Sequence, residues 1–327
     1  MFARRSFLIG AALAPLAPAP AHAQASSTQV WPARPVMLII PFPAGGAMDL
    51  LGRGVAQDLA DKLGQQFVVD NRAGAAGNIG AMAAAKASPD GYTILMAGAA
   101  SLALNKFMFS NMPYDPETEL TPIVILSRLP HIFVVNAKVE AKTLKELVDY
   151  AKSNPGKLSA GVPGVGTTAH ITLEAFMAET GAKMTVVPYR SEPQMLTDLV
   201  GGQLDVACTL ATSPGPHVQA GRLRALAVTS ATRTRQLPDV PTVEQAGFPG
   251  FEATAWFALA APAGTPADII AKINTTANAF IRSAKGKEEL SKLDSLPAGG
   301  TPQETKAFIA AEVRKWAPII KAAKIQM

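Results

Sequence analysis

The stretch from Val36 to Asp49 constrains this chain more than any other. Val36-Met37-Leu38-Ile39-Ile40 is a short, unbroken run of largely branched side chains, as a parallel strand covered on both faces requires. Pro41 ends the run, and Pro43, Gly45 and Gly46 punctuate a turn. Leu51, Val55, Leu59 and Leu63 then recur at every fourth position, which predicts a helix from about Met48 to Leu63 with Gly64 as its stop. Glycine at 45 and 46 permits positive φ and a close approach of backbone, and the N–H groups at the helix start are left unpaired. Such a turn can hold an anion above a strand's carboxyl end, where open α/β sheets bind their ligands; a structural turn with no ligand is the alternative.

The same unit repeats. Gln66 to Asp70 reads as a second strand, and Asn71 to Gly80 as a glycine-rich turn opening an alanine-rich helix. Tyr92 to Met96 is a third strand, followed by the small-residue loop Gly98 to Ser101. Ile123–Leu126 and Ile132–Val135 read as two strands meeting at Pro130. Thr143 and Glu146 form a capping box for a helix that ends at Asn154-Pro155-Gly156. Leu158 to Thr168 echoes the opening stretch, with a helix that stops at Gly181. Strands follow at Met184–Pro188, Leu204–Leu210 and Leu223–Val228, separated by a helix from about Gln194 to Val200 and another near Val218. After a turn-rich passage, Ala255–Ala260 is a second crossing strand. Thr265 to Asp268 and Thr301 to Glu304 start the last helices, and Pro318 is expected to end or kink the final one. Alternation of this kind means an α/β fold.

Length and composition set further bounds. A chain of 327 residues with 48% hydrophobic content buries a large core and suggests two domains. Arg4 and Arg5, the apolar stretch Phe7 to Leu16 and Ala21-His22-Ala23 read as an export signal over residues 1–23, of twin-arginine or general secretory type, followed by a polar leader. Its removal takes the formal charge from +5 to about +3, and no cluster of basic and aromatic residues supports nucleic-acid binding. Cys208 is the only cysteine, so there is no internal disulfide and no multi-cysteine metal site. Within its apolar run it reads as a buried, inert thiol.

PFPAGG, NRAGAAGNIG, PDGYTILM, MPYDP, GVPGVGTTAH, RLRALAVTS, LPDVPTVEQAGFPGFEATAWF and APAGTP occur in this order. With them the chain resembles Bug-type solute-binding proteins of tripartite tricarboxylate transport systems, the TctC-like family, over essentially the whole mature chain. The resemblance implies the type II periplasmic binding protein fold: two α/β domains joined by two crossing strands, closing over a small organic anion. Domain 1 would comprise residues 31–129 and 253–327, and domain 2 residues 130–252. It further implies a monomeric periplasmic receptor that is not an enzyme, holds no cofactor or metal, and hands a carboxylate to membrane permease subunits.

Carried over from the family, the site falls on Phe42, Ala44, Gly45, Gly46 and Asp49 in the first loop, Gly74, Ala75 and Asn78 in the second, and Gly98 and Ser101 in the third. On the second domain it falls on Val162, Gly164, Gly166, Thr167, Thr168, His170, Tyr189 and Asp205. The chain departs from its relatives at Thr168-Ala169, at Arg190-Ser191 and between Thr209 and Thr212, positions that face or border the cleft and bear on the ligand's identity. Asp49 reads as an acceptor that orients the first loop, since like charges repel. His170 either donates to the ligand or caps its helix, and Arg190 either meets a second carboxylate or lies solvated at the rim. Arg53 and Arg72 read as structural or solvated.

Two other functions remain open: a periplasmic sensor that reports ligand to a signalling partner, and an exported α/β enzyme. Against the enzyme, Gly74-x-x-Gly77-x-x-Gly80 lacks an acid some twenty residues on at a strand end. There is also no Walker lysine, no Gly-x-Ser-x-Gly elbow and no His-Glu-x-x-His.

Overall fold

The structure is a computed structural model that describes residues 31–327; the export signal expected over 1–23 lies outside the described residues. The chain begins with β1 (Val36–Ile40), α1 (Ala47–Leu63), β2 (Phe67–Asn71), α2 (Asn78–Ala85) and β3 (Thr93–Gly98). It continues through β4 (Leu120–Asn136), α3 (Leu144–Ser153), β5 (Ser159–Val162), α4 (Thr168–Thr180), β6 (Thr185–Pro188), α5 (Glu192–Gly201), β7 (Val206–Leu210), α6 (Gly215–Gln219) and β8 (Leu223–Val228). Then come β9 (Thr254–Pro262), α7 (Ala267–Arg282), α8 (Ala284–Lys292), β10 (Leu296–Gly299) and α9 (Pro302–Ala322).

These strands form a mixed sheet in the order β2-β1-β3-β9-β4-β7-β5-β6, with β8 and β10 also on β4. β1 is parallel to β2 and β3, and β5 is parallel to β6 and β7. Right-handed crossover geometry therefore sets α1, α2 and α4 after strand ends that lie on one edge of each half. β4 joins the halves: Leu120 to Pro130 pairs β9, and His131 to Val135 pairs β7.

The expected pair of strands meeting at Pro130 is thus one continuous strand. Pro130 lacks an N–H, but it stands where the neighbour changes from β9 to β7, so its missing donor interrupts neither ladder. Nor does Pro318 end the final helix, since α9 runs through it to Ala322. The carbonyl that loses a donor there belongs to Arg314, on the exposed face, where it is open to solvent. The sequence offered no signal for α8, whose face is mostly polar, or for β10, a short edge strand containing Pro297.

Caps and periodicity otherwise fall as read. Leu51, Val55 and Leu59 are buried beneath β1, and Gly64 closes α1 in the left-handed conformation. Full burial of each such side chain contributes roughly 1.5–3 kcal/mol. Thr143 caps α3, and Thr301 with Glu304 forms a reciprocal capping box on α9. Cys208 is fully buried on β7, and burial pushes its thiol far up, so it stays protonated. Among the described residues no helix is long and apolar enough to cross a membrane.

Candidate functional site

The first loop follows β1. Gly45 has φ 85°, as the turn demands, whereas Gly46 is extended at φ −77°. Its shape is held from inside by Asp49, only 2% exposed, whose Oδ2 accepts from the Gly45 N–H at 2.9 Å and from Arg53 Nε at 3.0 Å. Asn71 Nδ2 donates to Asp49 Oδ1 at 2.9 Å and to the Phe42 carbonyl at 3.0 Å, so the end of β2 is fastened to the same loop. Burial pushes the Asp49 carboxyl up, but hydrogen bonds from Arg53, Gly45 and Asn71, with the Arg53 charge, more than offset this and hold it below the usual range. Asp49 is therefore spent on the loop, and so is the Gly45 N–H. The donors left without an acceptor among the described residues are those of Gly46, Ala47, Met48 and Asp49, because Gly46 caps α1 without a side chain and the first helical bond runs from the Leu50 N–H to the Gly46 carbonyl.

Ala44, Gly45 and Gly46 are exposed and Phe42 is half-buried. A Cβ on Gly45 would meet nothing within 4 Å, which leaves the space above the turn open. Close approach is needed instead at Gly80, where a Cβ would come 2.8 Å from Pro41 Cβ and 2.9 Å from the Arg72 carbonyl. Glycine there lets the second loop lie against the first, with Gly77 beside the Phe42 ring.

In the second loop Gly74 and Ala75 are exposed, but Asn78 turns inward and is 2% exposed. Its Oδ1 accepts from Asn105 Nδ2 at 2.7 Å. The third loop is likewise inward: Gly98 and Ser101 are buried, and the Ser101 carbonyl accepts from the Tyr114 hydroxyl at 2.7 Å.

On the other half of the sheet, the turn between β5 and α4 is built by its own side chains. Thr167 caps α4, accepting from His170 N at 3.3 Å and donating its hydroxyl to Gly164 O at 3.0 Å. His170 Nδ1 accepts from Gly166 N at 3.1 Å, and its Nε2 stands 3.6 Å from Glu174. Both ring nitrogens are thus directed within the turn and its helix. Thr168 Oγ1 lies 3.0 Å from His131 Nε2. The Tyr189 N–H donates to the Val162 carbonyl at 2.9 Å and its hydroxyl to Asp198 at 3.0 Å.

These loops are contiguous. Gly166 packs against Met108, just past the third loop, where a Cβ would come within 2.8 Å of the sulfur. Ala99 and Leu104 line a void of about 10 Å³ with Thr168 and Thr172 of α4 and Glu312 of α9, whose carboxylate accepts both the Trp256 and Trp316 indole N–H groups at 2.9 Å. Asp205 is the exception among the expected residues. Its carboxylate accepts from Ser159 N at 2.8 Å and Ser159 Oγ at 2.7 Å, at the amino ends of β5 and β7, whereas Val162 stands at the carboxyl end of β5. The structure separates it from the other positions by about 10 Å along the strand.

No unpaired cation stands on the first two loops: Arg53 is bound to Asp49 and Arg72 to Asp70. Arg190, exposed at the end of β6, makes no ion pair among the described residues. Two residues on it is followed by Glu192, which accepts from the Thr209 hydroxyl. A cavity of about 810 Å³ lies elsewhere, between the start of β4 and α9, and is lined by Leu102, Thr121, Lys306 and Arg314 but by none of the expected site residues. The first loop presents an open face at Ala44, Gly45 and Gly46. Among the described residues no cluster of side chains is arranged to hold a metal ion.

Comparison with known proteins agrees with this architecture. BugT of Bordetella pertussis is 37% identical over 298 residues, covering 90% of this chain and 91% of that one. Among solved structures, R. palustris Rpa4515 with adipate is 38% identical with a TM-score of 0.79, covering 90% of this chain and 99% of that one. MatC from Rhodopseudomonas palustris with bound malate is 28% identical with a TM-score of 0.75, covering 89% of this chain and all of that one, 100%. The family model described as tripartite tricarboxylate transporter family receptor matches residues 51–325, and the chain belongs to that family of solute-binding receptors.

Proposed function

We propose that this chain is a periplasmic receptor that takes up a small carboxylate and delivers it to the permease of a tripartite tricarboxylate-type transporter. The observation that carries this reading is the pair of contiguous loops at the carboxyl ends of β1 and β2, where the N–H groups of Gly46, Ala47, Ala75 and Ala76 have no acceptor among the described residues and the turn at Gly45 faces open space. Hydrogen bonds to a charged group contribute roughly 1.5–3 kcal/mol each, so three or four of them offset partial desolvation and reach the roughly 8 kcal/mol of a micromolar site. Adipate in Rpa4515 and malate in MatC are both dicarboxylates, and this supports the same class of ligand here.

The expected site residues serve two roles in this reading. Ala44, Gly46, Gly74, Ala75 and Gly164 present backbone, while Asp49, Asn78, Thr167 and His170 hold it in shape, Asp49 and His170 by accepting from the Gly45 and Gly166 N–H groups. The halves of the sheet act as domains, residues 31–129 with 253–327 and residues 130–252, which close about Pro130–His131 and Ala253–Thr254. The receptor works as a monomer without catalysis. A thermal-shift series with straight-chain mono-, di- and tricarboxylates tests the reading. A rise in melting temperature with four- to six-carbon dicarboxylates is expected, and no response to any carboxylate would overturn it.

A further inference from the structure

Four consecutive residues of the second loop, Gly74, Ala75, Ala76 and Gly77, have φ of 130°, 46°, 51° and 90°. Glycine takes these values freely, but alanine does so only at a steric cost, and two adjacent alanines persist there only when their surroundings over-determine the backbone. The determinant is Asn105, 1% exposed, on the segment that follows the third loop. Its Nδ2 donates to the Ala76 carbonyl at 3.1 Å and to Asn78 Oδ1 at 2.7 Å. The Tyr114 hydroxyl, 3.3 Å from the same Asn78 oxygen, extends the network to the third loop.

Asn105 Oδ1 is buried without a partner. A buried acceptor left unmet is unfavourable, so packing alone does not favour asparagine at this position. The reverse amide orientation would set that oxygen against two other oxygens, which fixes the donor toward Ala76. With the turn held in this way, the Ala75 and Ala76 N–H groups have no acceptor among the described residues, and Ala75 is exposed. Successive N–H groups in such a turn form an anion-binding concavity.

We propose that Asn105 is a positioning residue of the ligand site, clamping Ala75 and Ala76 in the left-handed conformation so that both N–H groups open toward a ligand carboxylate. The clamp is a property of the free protein; its use rests on the carboxylate-receptor reading above. The test compares the parent with Asn105→Leu, Ala76→Gly and the double variant, by hydrogen exchange over residues 73–80 without ligand and by calorimetry with adipate.

Asn105→Leu is expected to speed exchange in that segment at least tenfold and to weaken adipate at least tenfold, with little change in the strands. Adding Ala76→Gly restores most of the affinity, because glycine reaches the same φ without the clamp. Exchange that rises equally throughout β1 and β3, or a double variant no better than Asn105→Leu, would overturn the proposal. If the parent itself gives no heat with adipate, the result counts against adipate as ligand, and the exchange data alone decide the clamp. Asn105→Ser, too short to reach Ala76, replaces the leucine variant if that chain does not fold, with the same outcomes.

Discussion

His131 Nε2 stands 3.0 Å from the Thr168 hydroxyl, which ties the strand shared by both halves of the sheet to the first residue of α4, beside the glycine-rich turn. Its Nδ1 lies 3.3 Å from Thr172. Thr229 Oγ1 accepts from the His131 backbone N–H at 2.9 Å and donates to the Ala253 carbonyl, so both crossings meet at this residue.

Burial lowers the pKa of His131 from 6.5 to about 4, outweighing a hydrogen bond to the Ala253 backbone that raises it. The folded protein thus keeps the ring neutral, while the unfolded chain takes up a proton near pH 6.5. Stability from this group is complete above that pH and falls as pH drops toward 4, by about 3 kcal/mol in all. Melting temperature followed from pH 7 to pH 4 should decline less steeply in His131→Gln than in the parent. Parallel curves would remove His131 as the cause.

Asp49→Asn exchanges one acceptor for a donor that faces the N–H groups of Gly45, Asn71 or Arg53. An unmet donor at a buried position costs about 1–3 kcal/mol. Denaturant unfolding should show a loss in that range, with weaker carboxylate binding because the first loop loses its inner tie. Unchanged stability would mean that the loop does not depend on this carboxylate.

Gly45→Val separates a ligand turn from a structural one. Gly45 has φ 85°, and a Cβ there meets no protein atom within 4 Å, so the substitution adds backbone strain of roughly 1–3 kcal/mol without an internal clash. A folded variant with a modestly lower melting temperature and no carboxylate-induced shift is expected. Affinity within twofold of the parent, by calorimetry, would move the site off this loop.

The alternation of apolar runs with glycine-rich turns made the α/β class readable, because a branched run such as Val36–Ile40 and a helical period such as Leu51, Val55 and Leu59 each report a burial pattern. Pro130 misled, and Pro318 does not end its helix, since proline reports a missing donor and not whether a neighbour needed it. Residues that present backbone were legible through glycine. Of those that hold the backbone, Asp49 was legible as the acceptor of its own loop, but Asn71, Asn105 and His131 act across 22, 29 and 37 residues of sequence, on Asp49, Ala76 and Thr168, and no local pattern encodes such contacts. Asp205 erred in the opposite sense, as an acid near a strand whose end the sequence alone did not fix.

The proposed closure of the two halves turns on the crossings at Pro130–His131 and Ala253–Thr254. A ligand that bridges the loops shifts the population toward the closed form. Small-angle scattering should therefore show a smaller radius of gyration with saturating dicarboxylate. An equal radius with and without bound ligand would argue for a rigid receptor.

The claim that the loops hold a carboxylate by backbone donors is tested most directly by titrating adipate, malate and the uncharged diamide of adipate into the purified protein in a calorimeter. At least one of the two acids should bind at micromolar concentration, and the diamide at least a hundredfold more weakly, as expected when about 3 kcal/mol or more of the binding depends on the charged acceptor. Diamide binding equal to that of adipate, or no heat from either acid, would contradict the account.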